Sequence, residues 1–393
     1  MTGAAVGATV RRRRLRSGVG VTALVIVALL LGYLVVVGVL RSRTLMLPAP
    51  TGPHPVGRTI TTVAAGGGTE DGARRATWVW YPADSRSADT APPAEYVPDG
   101  WFGPGSLPPA VGLGWLLQDV DAVRSWARRD AAPASGRHPV VVLAPGYENA
   151  PWMYSTLGEE LASRGVVVAV LVPPTTPARV VDGHPRTTAA SSTPPTPAEI
   201  DLLLQQEAAD MVALHDTLVA ATDGTLAGSL DTDRTVFGGH SLGGGAAVLA
   251  CELAPRCAGS INMDGPQPAL PAGAPTRPAL LLASDHSCAA VTPCTEQGQS
   301  PGYVDWLSRR RTAAPPSTIA TITGAGHNAF GDPVHYFVAP PLGGLSGTGS
   351  IAPQRMHAVL TAVLHSTVSQ LLGGDAGQDA RELPELELVP AGG

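Results

Sequence analysis

The sixteen residues from Arg234 to Leu249, RTVFGGHSLGGGAAVL, leave few folds open to this chain. Thr235 to Phe237 is an apolar, β-branched run of the kind that ends a buried strand, and the small residues after Leu242 suit a tightly packed helix. Between them, Gly239-His240-Ser241-Leu242-Gly243 predicts a sharp strand-to-helix turn that lifts the Ser241 hydroxyl clear of a sheet. Glycine is required two residues either side, where a side chain would collide with the neighbouring strand or helix. The helix that begins at once directs its positive end at the serine. With 46 glycines in 393 residues, the pentapeptide alone carries little weight. Gly298-Gln299-Ser300-Pro301-Gly302 also fits, but no strand precedes it and Pro301 breaks the turn.

The rest of the chain supplies a sheet to hold such a turn. Ala76–Tyr81, Pro139–Ala144 and Gly165–Val172 read as early strands, and the last two are continuous apolar runs suited to a sheet covered on both faces. Later strands are expected at Ser260–Met263, Ala279–Ala283 and Thr318–Ile322. Helices are expected at Leu117–Arg129, Ser155–Arg164, Ala198–Ala221 and Pro353–Leu372. Residues 173–197, rich in Pro, Thr and Ser, read as an exposed loop. Alternating strands and helices predict an α/β fold, mostly parallel, with helices on both faces.

Residues 1–19 form a basic tail with five arginines and no acid, and residues 20–40 carry no charge. Twenty such residues cross a hydrocarbon core of about 30 Å as a helix. The arginine excess before the helix predicts a cytoplasmic N-terminus and an extracytoplasmic domain, a single-pass cell-membrane protein. A cleaved signal peptide is the alternative. Residues 41–56 read as a linker, 57–373 as the catalytic domain, and 374–393 as a disordered acidic tail. All 26 basic residues are arginine and the net charge is −6, which argues against a nucleic-acid partner. A monomer is expected. The four cysteines fall in pairs six apart, Cys251 with Cys257 and Cys288 with Cys294, and beyond a membrane they are expected to form two local disulfides. Their spacing fits no metal site and no cofactor is implied.

A serine hydroxyl needs a base within hydrogen-bond reach. His327, in the glycine turn after the strand that ends near Thr323, is the expected base; His335, His357 and His365 are worse placed, and His240 is expected to be structural. Two carboxylates end strands and compete for the acid, Asp264 after Met263 and Asp285 after Ala283. The oxyanion of a tetrahedral intermediate is expected to meet the Leu242 and Tyr147 N–H groups, the latter from the Pro145-Gly146-Tyr147 turn. Trp152 and Met153 are candidates to line a substrate pocket.

Taken together, these segments resemble the platelet-activating-factor acetylhydrolase family of α/β-hydrolases, bacterial members above all. The likeness rests on Leu47-Pro48-Ala49-Pro50, Trp80-Tyr81-Pro82-Ala83, the block Val141–Val170, and Leu230–Arg234 before the elbow. It extends to Ile261-Asn262-Met263-Asp264-Gly265 and to Gly326-His327-Asn328-Ala329-Phe330 with Asp332, and spans residues 45–372. The resemblance implies an α/β-hydrolase fold with a Ser241, Asp264, His327 triad, acting on short-chain or phospholipid-type esters. The Pro-Gly-Tyr turn departs from the family's usual His-Gly and is similar to polyester-degrading cutinases, whose acid follows the next strand, here Asp285. A serine ester hydrolase is therefore expected, with an ester or lipid substrate. The rivals are an acyltransferase to cell-envelope hydroxyls and a binding module on an inactive scaffold.

Overall fold

The computed structural model describes residues 3–64, 74–101, 114–176, 178–181, 184–187, 195–221, 224–271, 275–285, 317–339, 346–374 and 382–388. For 3–20, 64, 114, 178–181, 184–187 and 197 it describes the backbone alone. A long helix α1 (Gly3–Ser42) leads into a single large sheet. Along the chain the first strands are β1 (Leu45–Met46), β2 (Val56–Ala64), β3 (Arg74–Pro82), β4 (Pro93–Glu95) and β5 (Val123–Arg129). Then come β6 (His138–Ala144), helix α2 (Ser155–Ser163) and β7 (Val167–Leu171). A small hairpin, Ala178–Val181 with His184–Thr187, precedes helix α3 (Pro197–Ala220) and strand β8 (Leu230–His240). Helix α4 (Leu242–Leu253), strands β9 (Cys257–Met263), β10 (Ala279–Ala283) and β11 (Thr318–Ile322), helix α5 (Pro353–Leu372) and β12 (Leu386–Leu388) complete it.

In space the strands run β1-β5-β2-β3-β7-β6-β8-β9-β10-β11-β12. From β7 to β11 all neighbours are parallel; β3 and β12 join antiparallel at either side. Side chains alternate between two apolar layers, as strand geometry requires. Val141, Leu143, Val168 and Val170 face Leu157 and Leu161 of α2 and Val359 and Leu360 of α5. Val140, Val142, Val167 and Ala169 face Met211 and Leu214 of α3 and Ala246 and Ala250 of α4.

This arrangement fixes where a site can form. The chain leaves β6 through α2 for β7 on one side, then returns through α3 to β8 on the other side of β6. The strand order reverses between β6 and β8, and the crevice at the carboxyl ends of such strands is where open α/β sheets bind ligands. The Pro145-Gly146-Tyr147 turn follows one of them and Ser241 the other.

Four sequence expectations need correction. Leu117–Arg129 is not a helix but a 3-10 turn, Val120–Ala122, and the strand β5, held by pairing with β1, β2 and β4 that outweighs its weak helical pattern. The linker read at 41–56 is docked on the domain: Leu47 is buried, and Thr51 donates to both Glu160 carboxylate oxygens at 2.7 and 2.6 Å. The loop at 173–197 contains the hairpin. The tail read as disordered contributes β12 as an edge strand, pinned by Arg355 to Glu385 at 2.5 Å.

Cys251 and Cys257 are joined by a disulfide, between the end of α4 and the start of β9; Cys288 and Cys294 lie outside the described residues. Closing so short a loop contributes about 2 kcal/mol by chain entropy. Replacing both Cys251 and Cys257 by alanine should therefore lower the unfolding free energy by about 2 kcal/mol in urea titrations.

Candidate functional site

Ser241 sits at φ 52°, ψ −125°, between β8 and α4. Such a backbone costs about 1–3 kcal/mol and persists only where the surroundings over-determine it. The surroundings are the glycines: a Cβ on Gly239 would run into the Gly243 backbone, and one on Gly243 into the Ala144 and Pro145 carbonyls. The elbow is thus clamped between its own helix and the end of β6. Asp264 (φ 54°) and Glu148 (φ 57°) are also left-handed. Three of the four such non-glycine residues among those described fall on the loops around Ser241.

His327 is the hub. Its Nδ1 lies 2.7 Å from Asp264 Oδ2 and its Nε2 3.0 Å from Ser241 Oγ. A carboxylate only accepts, so Nδ1 carries the proton and Nε2 is left with a lone pair facing the serine hydroxyl. Asp264 is nearly buried, its side chain 6% exposed, and also accepts the Ser284 N–H at 2.8 Å. Burial pushes its carboxyl up, but the His327 hydrogen bond and charge and the Ser284 N–H outweigh this and hold it below the ordinary value.

Asp285 is not part of this chain. Its Oδ2 accepts the Gly324 N–H at 2.5 Å and its own N–H donates to Ala325 O at 3.0 Å, so it fastens the turn that leads to His327. The two carboxylates that the sequence left in competition are thereby separated in position.

Leu242, the first residue of α4, has an N–H with no acceptor within the helix. A Cβ on Gly146 would sit 3.1 Å from Ser241 Cβ, which sets the Pro145-Gly146-Tyr147 turn directly against the elbow. The Tyr147 ring is half-buried against the core layer that includes α3 and α4. The expected pocket residues Trp152 and Met153 are both buried in a 3-10 turn, Trp152 against Trp78 with ring centroids 5.9 Å apart, and the Met153 carbonyl accepts the Asp332 N–H at 2.7 Å.

Two supports went unread in the sequence. The first joins the turn after β6 to the histidine loop. Gly146 N–H and Asn149 Nδ2 each donate to Tyr154 Oη at 3.0 Å, Tyr154 Oη lies 2.9 Å from His240 Nδ1, and His240 Nε2 lies 2.9 Å from the His327 carbonyl. A carbonyl only accepts, so His240 Nε2 carries the proton and the tyrosine hydroxyl donates to Nδ1. The second is Asp332, buried at the N-terminus of α2, where it accepts from Ser155 N at 3.2 Å, Thr156 N at 3.0 Å and Tyr96 Oη at 2.9 Å. Among the described residues, no group of three His, Cys, Asp or Glu side chains is arranged to hold a metal.

Tyr154→Phe leaves the Gly146 N–H and His240 Nδ1 without a buried partner, an expected cost of about 1–3 kcal/mol in unfolding free energy. Melting curves on the variant read the loss.

Comparison with protein-family models and with curated proteins gives no match. Solved structures do match. A ferulic acid esterase from Streptomyces cinnamoneus superposes with a TM-score of 0.69 at 23% identity, covering 88% of this chain and 99% of that one. The chain has the α/β-hydrolase fold. The long apolar helix that precedes this fold, Val21–Ser42, whose most apolar 18 residues have a mean hydropathy of 3.0, has the length and composition of a membrane span or a signal sequence.

His240 gives the fold a pH dependence. Burial first, and the neighbouring His327 second, push its imidazole from the ordinary 6.5 down to about 3. A depressed folded-state value means that this contribution is fully present above 6.5 and is lost as pH falls from there through 3. In sum it is on the order of a few kcal/mol. Between neutral and about pH 4, His240→Gln should therefore lose less unfolding free energy than the parent chain, measured by urea titration at each pH.

Proposed function

We propose that this protein is a carboxylic-ester hydrolase in which Ser241, His327 and Asp264 form the catalytic triad. The observation that carries the reading is the continuous hydrogen-bonded chain from Asp264 Oδ2 through the His327 ring to Ser241 Oγ. His327 Nε2 takes the Ser241 proton as Oγ attacks the ester carbonyl. The Leu242 and Tyr147 N–H groups receive the oxyanion. As the tetrahedral intermediate collapses, His327 returns the proton to the departing alcohol and an acyl-serine remains. Water, deprotonated by the same imidazole, then releases the acid and restores Ser241. Asp264 keeps the imidazole in the required tautomer and offsets its positive charge.

Short-chain and phospholipid-type esters are the proposed substrates, on the strength of the acetylhydrolase-like segments. Helix α1 is proposed as a signal anchor, with residues 1–19 in the cytoplasm and the hydrolase domain outside, and the protein acts as a monomer. A p-nitrophenyl ester series from acetate to palmitate, with methyl ferulate alongside, tests the substrate class. Turnover should be highest on the short acyl chains. A preference for palmitate or for methyl ferulate would reject the short-chain reading and leave ester hydrolysis standing.

A further inference from the structure

Helix α1 does not end as a free tether. Only Arg43 and Thr44 separate it from β1. Arg41 Nη1 donates to Leu117 O at 3.0 Å, and Gln118 Nε2 donates to the Arg41 and Arg43 carbonyls at 2.7 and 2.6 Å. Deeper along the helix, Tyr33 Oη donates to Ala339 O at 2.9 Å, and Val37, 1% exposed, is buried in one cluster with Leu116 and Ala339. Tyr33, Phe337 and Val338 pack around that cluster, and Trp115, beside Leu116, is 44% exposed. The remaining faces of the same helical turns are bare: Val35 and Val36 are 66% and 54% exposed.

The positions of the charges fix how deep this contact lies. Arg16 and Arg41 bound a stretch of 24 uncharged residues, 17–40. At 1.5 Å per residue it spans about 36 Å, so a hydrocarbon core of about 30 Å leaves a play of only about four residues. The outer boundary must then fall between about residue 36 and residue 40. Val37 lies at that boundary or below it, and Tyr33 about 5–10 Å below it. The domain residues that cover them cannot stand clear of the lipid. A depth of about 5–10 Å is that of elements bedded in the headgroup and acyl boundary, where tryptophan is favoured.

We infer that the hydrolase domain is seated in the outer lipid surface where Leu116 and Ala339 pack on α1, with half-buried Phe337 and Val338 around them and Trp115 as the exposed anchor at the rim. This rests on the reading of α1 as a membrane span. Its consequence concerns the site: Phe337 follows His327 by ten residues in one segment, which Asp332 ties to α2. The histidine loop is therefore held at a fixed distance from the bilayer, which suits esters that partition into lipid.

The test uses the full chain in vesicles of phosphatidylcholine and phosphatidylglycerol whose acyl chains carry bromine close to the ester end. Bromine quenches indoles at that depth. Quenching is expected in the parent chain, with most of the quenched emission lost in Trp115→Phe and kept in Trp126→Phe, whose indole is 45% exposed but donates to Leu47 O at 2.9 Å, beyond the end of α1. Trp115→Tyr repeats the reading should the phenylalanine variant not fold. Alkaline extraction of the same vesicles separates the two levels of the argument. Unchanged quenching in Trp115→Phe, with the protein still in the membrane pellet, overturns the seating alone. Release of the parent chain into the supernatant overturns the membrane span and the seating with it.

Discussion

Ester turnover by Ser241→Ala is expected to fall by roughly 10⁴-fold or more, with the fold retained. The size of the loss follows from the arrangement of the three side chains. Removing Oγ leaves His327 Nε2 with nothing to deprotonate, and only the oxyanion donors and substrate binding still assist attack by water. The fold should survive because the elbow's geometry is enforced by Gly239, Gly243 and the end of β6 rather than by the hydroxyl, which among the described residues is paired with His327. Alanine in a left-handed conformation is also no worse than serine there, so melting temperature should change little. Comparable loss in Ser300→Ala, the decoy in the second pentapeptide, would contradict the assignment.

The two acids should separate just as sharply. Asp264→Asn is expected to lower kcat by about 10⁴-fold, because an amide offers His327 Nδ1 an N–H as readily as an oxygen and supplies no charge for the imidazolium. Asp285→Asn should cost tenfold or less, since its role is a hydrogen bond to Gly324 N–H, which an amide oxygen can still accept. Kinetics of both single variants, with circular dichroism to establish folding, decide between them. A silent Asp264→Asn beside a dead Asp285→Asn would move the acid by one strand and favour a cutinase-like arrangement.

What the sequence made legible was local. The elbow could be read because its glycines at 239 and 243 answer a steric demand that lies within one turn of chain. His327 stands out in the sequence because a glycine turn after a late strand leaves few alternatives, and the fold places its ring between Asp264 and Ser241. The acid stood at two candidates, since strand-end position alone describes Asp264 and Asp285 equally. What separates them is which strand lies beside β8 and which carboxylate is already bound to Gly324 N–H, and both are tertiary facts. The link through Tyr154 joins residues 86 apart in sequence and left no periodicity to find. Trp152 and Met153 lie close to the Pro145-Gly146-Tyr147 turn along the chain, but that the 3-10 turn at Pro151–Tyr154 buries all four of its residues is a tertiary fact. The strand β5 was mistaken for a helix because its pairing partners, β1, β2 and β4, all lie earlier in the chain.

Ser241 Oγ is the group proposed to become acylated. A fluorophosphonate ester, which forms a stable phosphonyl adduct with an activated serine, can be added to the purified protein and the site mapped by peptide mass spectrometry. One adduct is expected, on the peptide containing Ser241, with ester turnover falling in step with its formation and no adduct in His327→Ala. An adduct on any other serine, or undiminished turnover after stoichiometric labelling of Ser241, would contradict that proposal.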